Sequence, residues 1–477
     1  MKQNFILLLI ILCSSTIFAQ TWAQLDKEGQ ELSDKAEYEK ATLILQQGID
    51  VARKEFGLNQ PQHATSLDRL GELYIKMGKY KEAERLLTQA KEIRKIAPGD
   101  SSADYAASLN DLGELYVNMG QNEKAEALLL AAVEIRKKVL GENHPDYATS
   151  LDNLGLVYVQ MSKYEKAEPL FLQVKEIREK ALGVNHPDFA TSLCNLGFLY
   201  VQVGQFAKGD SLYIQARDIR KKVLGENHPD YATSLDNLGL LYNEVGEYAK
   251  AEPLYEQALE IRKRTLGEDH PAYGNSLTNL AEIYRRMSKF EKAEPLLIQA
   301  KEIQKRASGE NSPDYAVGLG NLAALYIAMG QYENALPLSV KSTEILKKAL
   351  GEDHPAYAGA LNNLAYLYDR MGQYGNAVPL YLKTIEIVKK LLGEEHPYYT
   401  ATLANLGILY LEIGQYDKAV SLFVKVKEIQ ERLHRDNQAD YAANLNTLAL
   451  VYVQQGLYQQ AVPLCLKAKE IDKQVYG

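Results

Sequence analysis

The chain has 477 residues and a formal net charge of −8, with 46% hydrophobic and 24% charged residues, proportions ordinary for a folded soluble protein. The negative balance argues against nucleic acid or an anionic membrane surface as the main partner, because both need clustered positive charge. A local basic patch stays compatible with it.

Residues 1–19 stand apart from the rest. Lys2 precedes the apolar run Phe5 to Leu12, followed by Ser14, Ser15, Thr16 and Ala19. A positive start, a short apolar stretch and a small-residue exit predict a secretory signal cleaved after Ala19. The run is too short to span a bilayer, so no membrane span is expected in the mature chain. Cys13 is not preceded by a small residue, which argues against a lipoprotein site. The mature protein is therefore expected in a periplasmic or extracellular space.

From residue 20 to 477 the chain lines up with itself in steps of 42. One site recurs at His63, Tyr105, Tyr147, Phe189, Tyr231, Tyr273, Tyr315, Tyr357, Tyr399 and Tyr441, and a shorter copy fits from Thr21 to Gln62. Eleven repeats are predicted, starting near 21, 63, 105, 147, 189, 231, 273, 315, 357, 399 and 441. A fixed period of this size means an array in which each unit packs mainly on its neighbours. It leaves no room for a separate catalytic domain.

The fourth repeat illustrates the unit. Tyr147, Leu151, Leu154, Val157, Tyr158 and Met161 form one helical stripe; Tyr164, Ala167, Leu170, Phe171, Val174, Ile177 and Leu182 form a second. The break between them, at Ser162, is glycine in most repeats, as at Gly78, Gly204, Gly246 and Gly330. Gly183 suits a left-handed helix end. Pro187 suits the first turn of the next helix, with Asp188 favouring its positive end. Each unit should be two antiparallel helices. Pro169, Pro253, Pro295, Pro337, Pro379 and Pro463 fall inside the second helix and predict a kink or a late start there. Acid-first pairs four residues apart (Glu134–Lys138, Glu176–Lys180, Asp218–Lys222, Glu260–Arg264) predict a stapled, solvated outer face.

Leu-Asp-Asn-Leu-Gly-Leu-Val-Tyr (151–158), Lys-Tyr-Glu-Lys-Ala-Glu (163–168) and Leu-Gly-Glu-Asn-His-Pro-Asp-Tyr (224–231) resemble the tetratricopeptide repeat. The 42-residue unit is similar to the form in kinesin light chains and many bacterial proteins; with the export signal, a bacterial source is expected. The resemblance implies an all-α fold, an α-solenoid in which antiparallel helix pairs wind into a right-handed superhelix. Its concave wall would be built from the first helices, and its role would be to bind other proteins. No heptad pattern that could serve as the coiled coil of kinesin light chains is seen before the repeats, and with the expected export signal a motor subunit is not expected.

Several recurrent residue types have structural explanations. Of 32 tyrosines, 29 occupy four repeated packing positions, where a large ring and a satisfied hydroxyl serve a core. His144, His186, His228, His270, His354 and His396 recur one per loop, roughly 10 Å apart, too far to share an ion. Cys194 and Cys465 lie more than six repeats apart and are expected as free thiols. No cofactor is expected. No phosphate loop, metal spacing or nucleophile–base set occurs. Nothing in the sequence pairs the acids Glu72, Glu114 and Glu282, so an enzyme is not expected.

The candidate binding residues form columns on the first helices. Asn153, Asn195, Asn237, Asn279, Asn321, Asn363 and Asn405 hold one position in seven successive repeats, although asparagine is a mediocre helix former. An amide donates and accepts, so a column facing the groove could grip a peptide backbone, or the amides could join neighbouring helices into a ladder. The resemblance supports the first role, because similar asparagines line the groove in kinesin-light-chain repeats. Columns that vary between repeats should set selectivity. Leu156, Phe198 and Leu240 offer an apolar centre, flanked by Arg285, Arg286 and Arg370, with Tyr366 in the same column as the leucines. An apolar segment with nearby acidic residues would suit them. The expected function is a non-enzymatic scaffold holding an extended peptide or protein partner in the groove. The alternative is an assembly protein whose arrays associate end to end through the uncapped last helix, Tyr458 to Tyr476.

Overall fold

The computed structural model describes residues 20–433 and 439–476; the expected signal at 1–19 lies outside them. The described residues form 22 α-helices and no strand. First helices run from α1 (Trp22–Asp34) to α21 (Ala439–Gln454), and second helices from α2 (Tyr38–Glu55) to α22 (Tyr458–Tyr476). The chain is an all-α solenoid of eleven helix pairs.

The fourth repeat shows how the sequence makes the pair. First helix α7 (Pro145–Gln160) begins where Pro145 meets no N–H requirement, and His144 caps it: Nδ1 accepts from the Asp146 N–H at 3.1 Å. Equivalent bonds are made by His186, His228, His270, His354 and His396, so the loop histidines are helix caps. Ser162 turns the chain at φ 56, where most repeats use a glycine at φ +68 to +77. Second helix α8 (Tyr164–Leu182) ends at Gly183, with φ 85 and ψ 162. That is not the left-handed helical cap expected but an extended positive-φ conformation open essentially to glycine alone.

Two other expectations are corrected. The helix does not start late: α8 begins at Tyr164 and runs through Pro169. The ring removes the N–H that would reach the Glu165 carbonyl, but Glu165 is exposed and water can serve it. Among the staples, Glu134–Lys138 and Glu176–Lys180 form, at 2.9 and 2.5 Å. Asp218 instead pairs with Arg217, while Lys222 and Arg264 reach back to Asn185 and Asn227 in the preceding loop.

In seven repeats the helices of a pair close on a glycine, and in the others on an alanine (Ala281, Ala323, Ala365, Ala449). A Cβ on Gly155 would lie 2.6 Å from the Phe171 ring, and Gly239 and Gly407 are faced in the same way by Tyr255 and Phe423. The ring is buried against bare backbone, which sets the distance between first and second helix.

The spiral is tight enough to touch itself. His270 Nε2 lies 3.2 Å from the Asp34 carbonyl, and His354 Nε2 3.0 Å from that of Asn118, both across 236 positions. One turn therefore closes in just under six repeats, placing repeats seven to nine on repeats one to three. Pro313 presses on Gly78, where a Cβ would lie 2.6 Å from its Cδ, and Pro355 presses on Gly120. At Gly204 and Gly246, away from this seam, nothing stands within 4 Å.

Neutral imidazoles suit the seam: Nδ1 accepts the cap hydrogen bond and Nε2–H donates across it. Burial pushes both histidines below their usual range, and Arg262 and Lys76 add to this at His270. The folded state thus binds fewer protons, so the seam's contribution is full above about pH 6.5 and is lost as pH falls. Gly120→Asn should lower the melting temperature and enlarge the radius of gyration in small-angle scattering, relative to Gly204→Asn at a similar φ. Identical scattering from the two variants would show that the turns do not bear on each other.

Candidate binding groove and cavity

The inner wall is held by a buried polar node, repeated between neighbouring first helices. Arg178, on α8, donates to Asp152 Oδ2 at 3.0 Å and to Ser192 Oγ at 3.1 Å, with the Arg178 and Asp152 side chains only 8% and 7% exposed. Arg94 joins Asp68 and Ser108, and Arg262 joins Asp236 and Ser276. Arg136 and Arg220 keep the serine, but Asn110 and Cys194 occupy the acid's place. Removing one partner from such a node leaves an uncompensated buried charge. Nothing in the sequence reading singled this node out. The 42-step column Arg94, Arg136, Arg178, Arg220, Arg262, inserted among apolar positions, was the available signal.

The asparagine column is tied into the same node. Asn195 Nδ2 donates to Asp152 Oδ1 at 2.9 Å, and Asn405 Nδ2 to Asn362 Oδ1 at 3.3 Å, each partner lying in the preceding repeat. Burial raises the Cys194 thiol and the Asp236 carboxyl, and hydrogen bonds from Asn237 and Asn279 pull each back. Asn153 stands opposite Asn110, whose Oδ1 is buried without a partner. Most of the column is thus a ladder between repeats.

Besides the open Asn153–Asn110 rung, the ladder is interrupted at two successive rungs. Opposite Asn321 is Thr278, whose hydroxyl donates to the Gly274 carbonyl of its own helix. Opposite Asn363 is Gly320, which has no side chain. Here a cavity of about 860 Å³ opens between α15 (Pro313–Ala328) and α17 (Pro355–Arg370), reaching inward to α16 (Tyr332–Leu350). Asn321, Asn363, Tyr366 and Arg370 line it together with Arg285.

The other expected groove residues lie elsewhere. Leu240 is 41% exposed, but Leu156 and Phe198 pack against the core of repeats three to five, so the apolar centre expected there is partly consumed by the fold. Arg286 is bound to Glu282 at 2.9 Å, and Arg285 holds the same carboxylate through two bonds of 2.7 Å. Burial would raise Glu282, but these two cations prevail and hold it below the usual range. Arg370 makes no ion pair among the described residues; a hydrogen bond to Tyr332, with Tyr366 and Glu412 nearby, pushes its guanidinium above the usual range. On the last helix, Tyr458, Val462 and Leu466 are exposed. Cys194 is buried, Cys465 exposed, and both are free thiols.

The acids Glu72 and Glu114, unpaired in the sequence reading, fall into one electrostatic cluster. Asp111 takes the asparagine's place in repeat three and meets Asp68, so that rung joins two acids. Burial, then Asp68 and Glu72, push Asp111 up to about 8. Burial pushes Asp68 up to about 7 against the pull of Arg94. Both values exceed the unfolded ones, so the folded state binds more protons and stability is lost as pH rises from about 4 towards 8. Asp111→Asn restores the residue used in seven other repeats. It should stabilise the protein more at pH 8.5 than at pH 5, by at least about 1 kcal/mol in denaturant unfolding. A gain independent of pH would dissolve the acid pair.

A profile described as tetratricopeptide repeat matches residues 32–96, 104–180, 188–264, 238–306, 273–348, 314–389 and 358–432, and a second of the same description matches 442–477. No curated protein matches the chain. Solved structures that do include the nearly identical TPR-like repeats assigned to a kinesin light chain of Podosopora anserina. These are 31% identical over 44% of this chain and 98% of that one, with a TM-score of 0.38. BtubC (BKLC) from P. vanneervenii is 24% identical over 50% of this chain and 92% of its own, with a TM-score of 0.39. A Rap protein complexed with competence and sporulation factor is 16% identical over 77% of this chain and 98% of its own. Its TM-score of 0.52 speaks for the fold alone.

Proposed function

We propose, from the premise that this chain belongs to the tetratricopeptide repeat family, that it is a non-enzymatic scaffold holding an extended peptide or protein segment against repeats seven to nine of its groove. The observation that carries this reading is the broken ladder. Asn321 and Asn363 keep amides that at Asn195, Asn237, Asn279 and Asn405 are spent on the neighbouring repeat, and both face an open cavity. Adjacent first helices lie roughly 10 Å apart and an extended chain rises about 3.3 Å per residue, so the two amides would meet a peptide backbone every third residue. Tyr366 offers an exposed ring beside them, and Arg370 a cation, a combination suited to an apolar segment with an acidic neighbour.

The test is a peptide array probed with the wild type, an Asn321→Ala/Asn363→Ala double variant, and Asn195→Ala. The double variant should lose about thirtyfold in affinity, two hydrogen bonds of roughly 1 kcal/mol each, with little change in melting temperature. Asn195→Ala should lower the melting temperature and leave binding intact. Array binders indifferent to the double variant would refute the groove reading.

Export is part of the same proposal, supported by Lys2, the run Phe5 to Leu12 and the small residues up to Ala19. Mass spectrometry of the protein secreted from a bacterial host should find Gln20 at the amino terminus. An intact chain beginning at Met1 would count against it.

A further inference from the structure

The cavity has a specific origin. Position 339, on α16, is serine, whereas the corresponding residues of repeats one to seven, nine and ten are rings (Phe171, Tyr213, Tyr255, Tyr381, Phe423) or leucines (Leu45, Leu87, Leu129, Leu297), all buried. The node is dismantled at the same place: Gly320 stands for Asp152 or Asp236, Leu346 for Arg178, and Ala360 for Ser192. A large side chain and an ion-pair node are therefore missing together, from three helices that face one space. Each of these residues lines the cavity.

We propose that this cavity binds a small amphiphile, an apolar body carrying one carboxylate or sulfonate, with the body in the place of the missing side chain and the anion on Arg370. The reading goes beyond peptide capture and does not depend on it, although the two share the mouth of the cavity. Volume favours a whole molecule over a single side chain. About 860 Å³ lies within the range of roughly 300–1,000 Å³ typical of sites for drug-sized ligands. Leu346, Ala324, Ala360 and Val317 supply apolar wall, against which a dry ligand is favoured. At the mouth, Arg285 is already committed to Glu282, while Arg370 makes no ion pair among the described residues and has Tyr332 beside it. A guanidinium with an adjacent phenol presents convergent donors to an oxyanion. The acidic groups on that side, Asp369 and Glu412, hydrogen-bond each other.

The probe is 1-anilinonaphthalene-8-sulfonate, followed by fluorescence, with its uncharged analogue N-phenyl-1-naphthylamine in parallel and decanoate as a competitor. Ser339→Tyr refills the cavity with the residue that repeat nine already carries at Tyr381, where it packs beside Ala365 as it would here beside Ala323. The wild type should bind one equivalent that decanoate displaces. Ser339→Tyr should weaken both probes at least about tenfold while leaving the melting temperature equal or higher. Arg370→Gln should weaken the sulfonate about fivefold or more and the uncharged probe hardly at all. Leu346→Phe, filling from the same helix, serves should Ser339→Tyr fail to fold. Undiminished binding in the filled variant would overturn the cavity site; equal effects of Arg370→Gln on both probes would overturn the anionic requirement. Loss of array peptides in the asparagine double variant, with probe binding unchanged, would leave both readings standing, so either can fail alone.

Discussion

The contact between a large second-helix side chain and a glycine or alanine on the first helix governs the architecture. Where Phe171 lies on Gly155, Tyr255 on Gly239 and Phe423 on Gly407, the two helices of a repeat approach at a distance set by a flat ring against backbone. A solenoid has no distant core to correct an error in one unit, because each repeat packs mainly on its neighbours. Spacing within the pair therefore propagates along the array. The same constraint explains the cavity: with Ser339 opposite Ala323, the pair keeps its place through its neighbours while the space of the large side chain goes unfilled.

Beneath the groove the array is not uniform. Repeats two to six carry buried arginines satisfied by serines and, in three of five nodes, by an aspartate. In repeats seven to ten that position reads Gln304, Leu346, Val388 and Gln430. A buried ion pair contributes little net stability over an apolar substitute but penalises any arrangement that separates its members. The ion pairs that penalise a shifted register are thus confined to the first half. The asparagine column is tied down at Asn195 and again at Asn405, and released between them at Asn321 and Asn363.

Curvature then brings the two halves together. The turn closes in just under six repeats, so that repeats eight and nine, with the cavity, rest on repeats two and three, with the acid pair Asp68 and Asp111. The seam is made by small groups: a proline on a glycine, an imidazole on a carbonyl. Gly78 and Gly120 serve two purposes, a positive φ in their own turns and clearance for Pro313 and Pro355. Ser162 and Ser288 show that the turn alone does not demand glycine.

The repeat length, the helix pairs, the terminal prolines and the solenoid class were legible in the sequence, because each depends on residues close together in the chain and repeated at a fixed step. The asparagine column was legible too, though its double nature was not. Whether Asn195 or Asn363 has a free amide depends on the residue 43 positions earlier, an aspartate in one case and a glycine in the other. The arginine node went unseen because its members are 14 and 26 positions apart and acquire meaning only when buried together. The self-contact of the spiral and the cavity were decided by tertiary structure alone. The first is the sum of small rotations that no single repeat displays, and the second is a coincidence of small residues on three helices, each unremarkable in its own column.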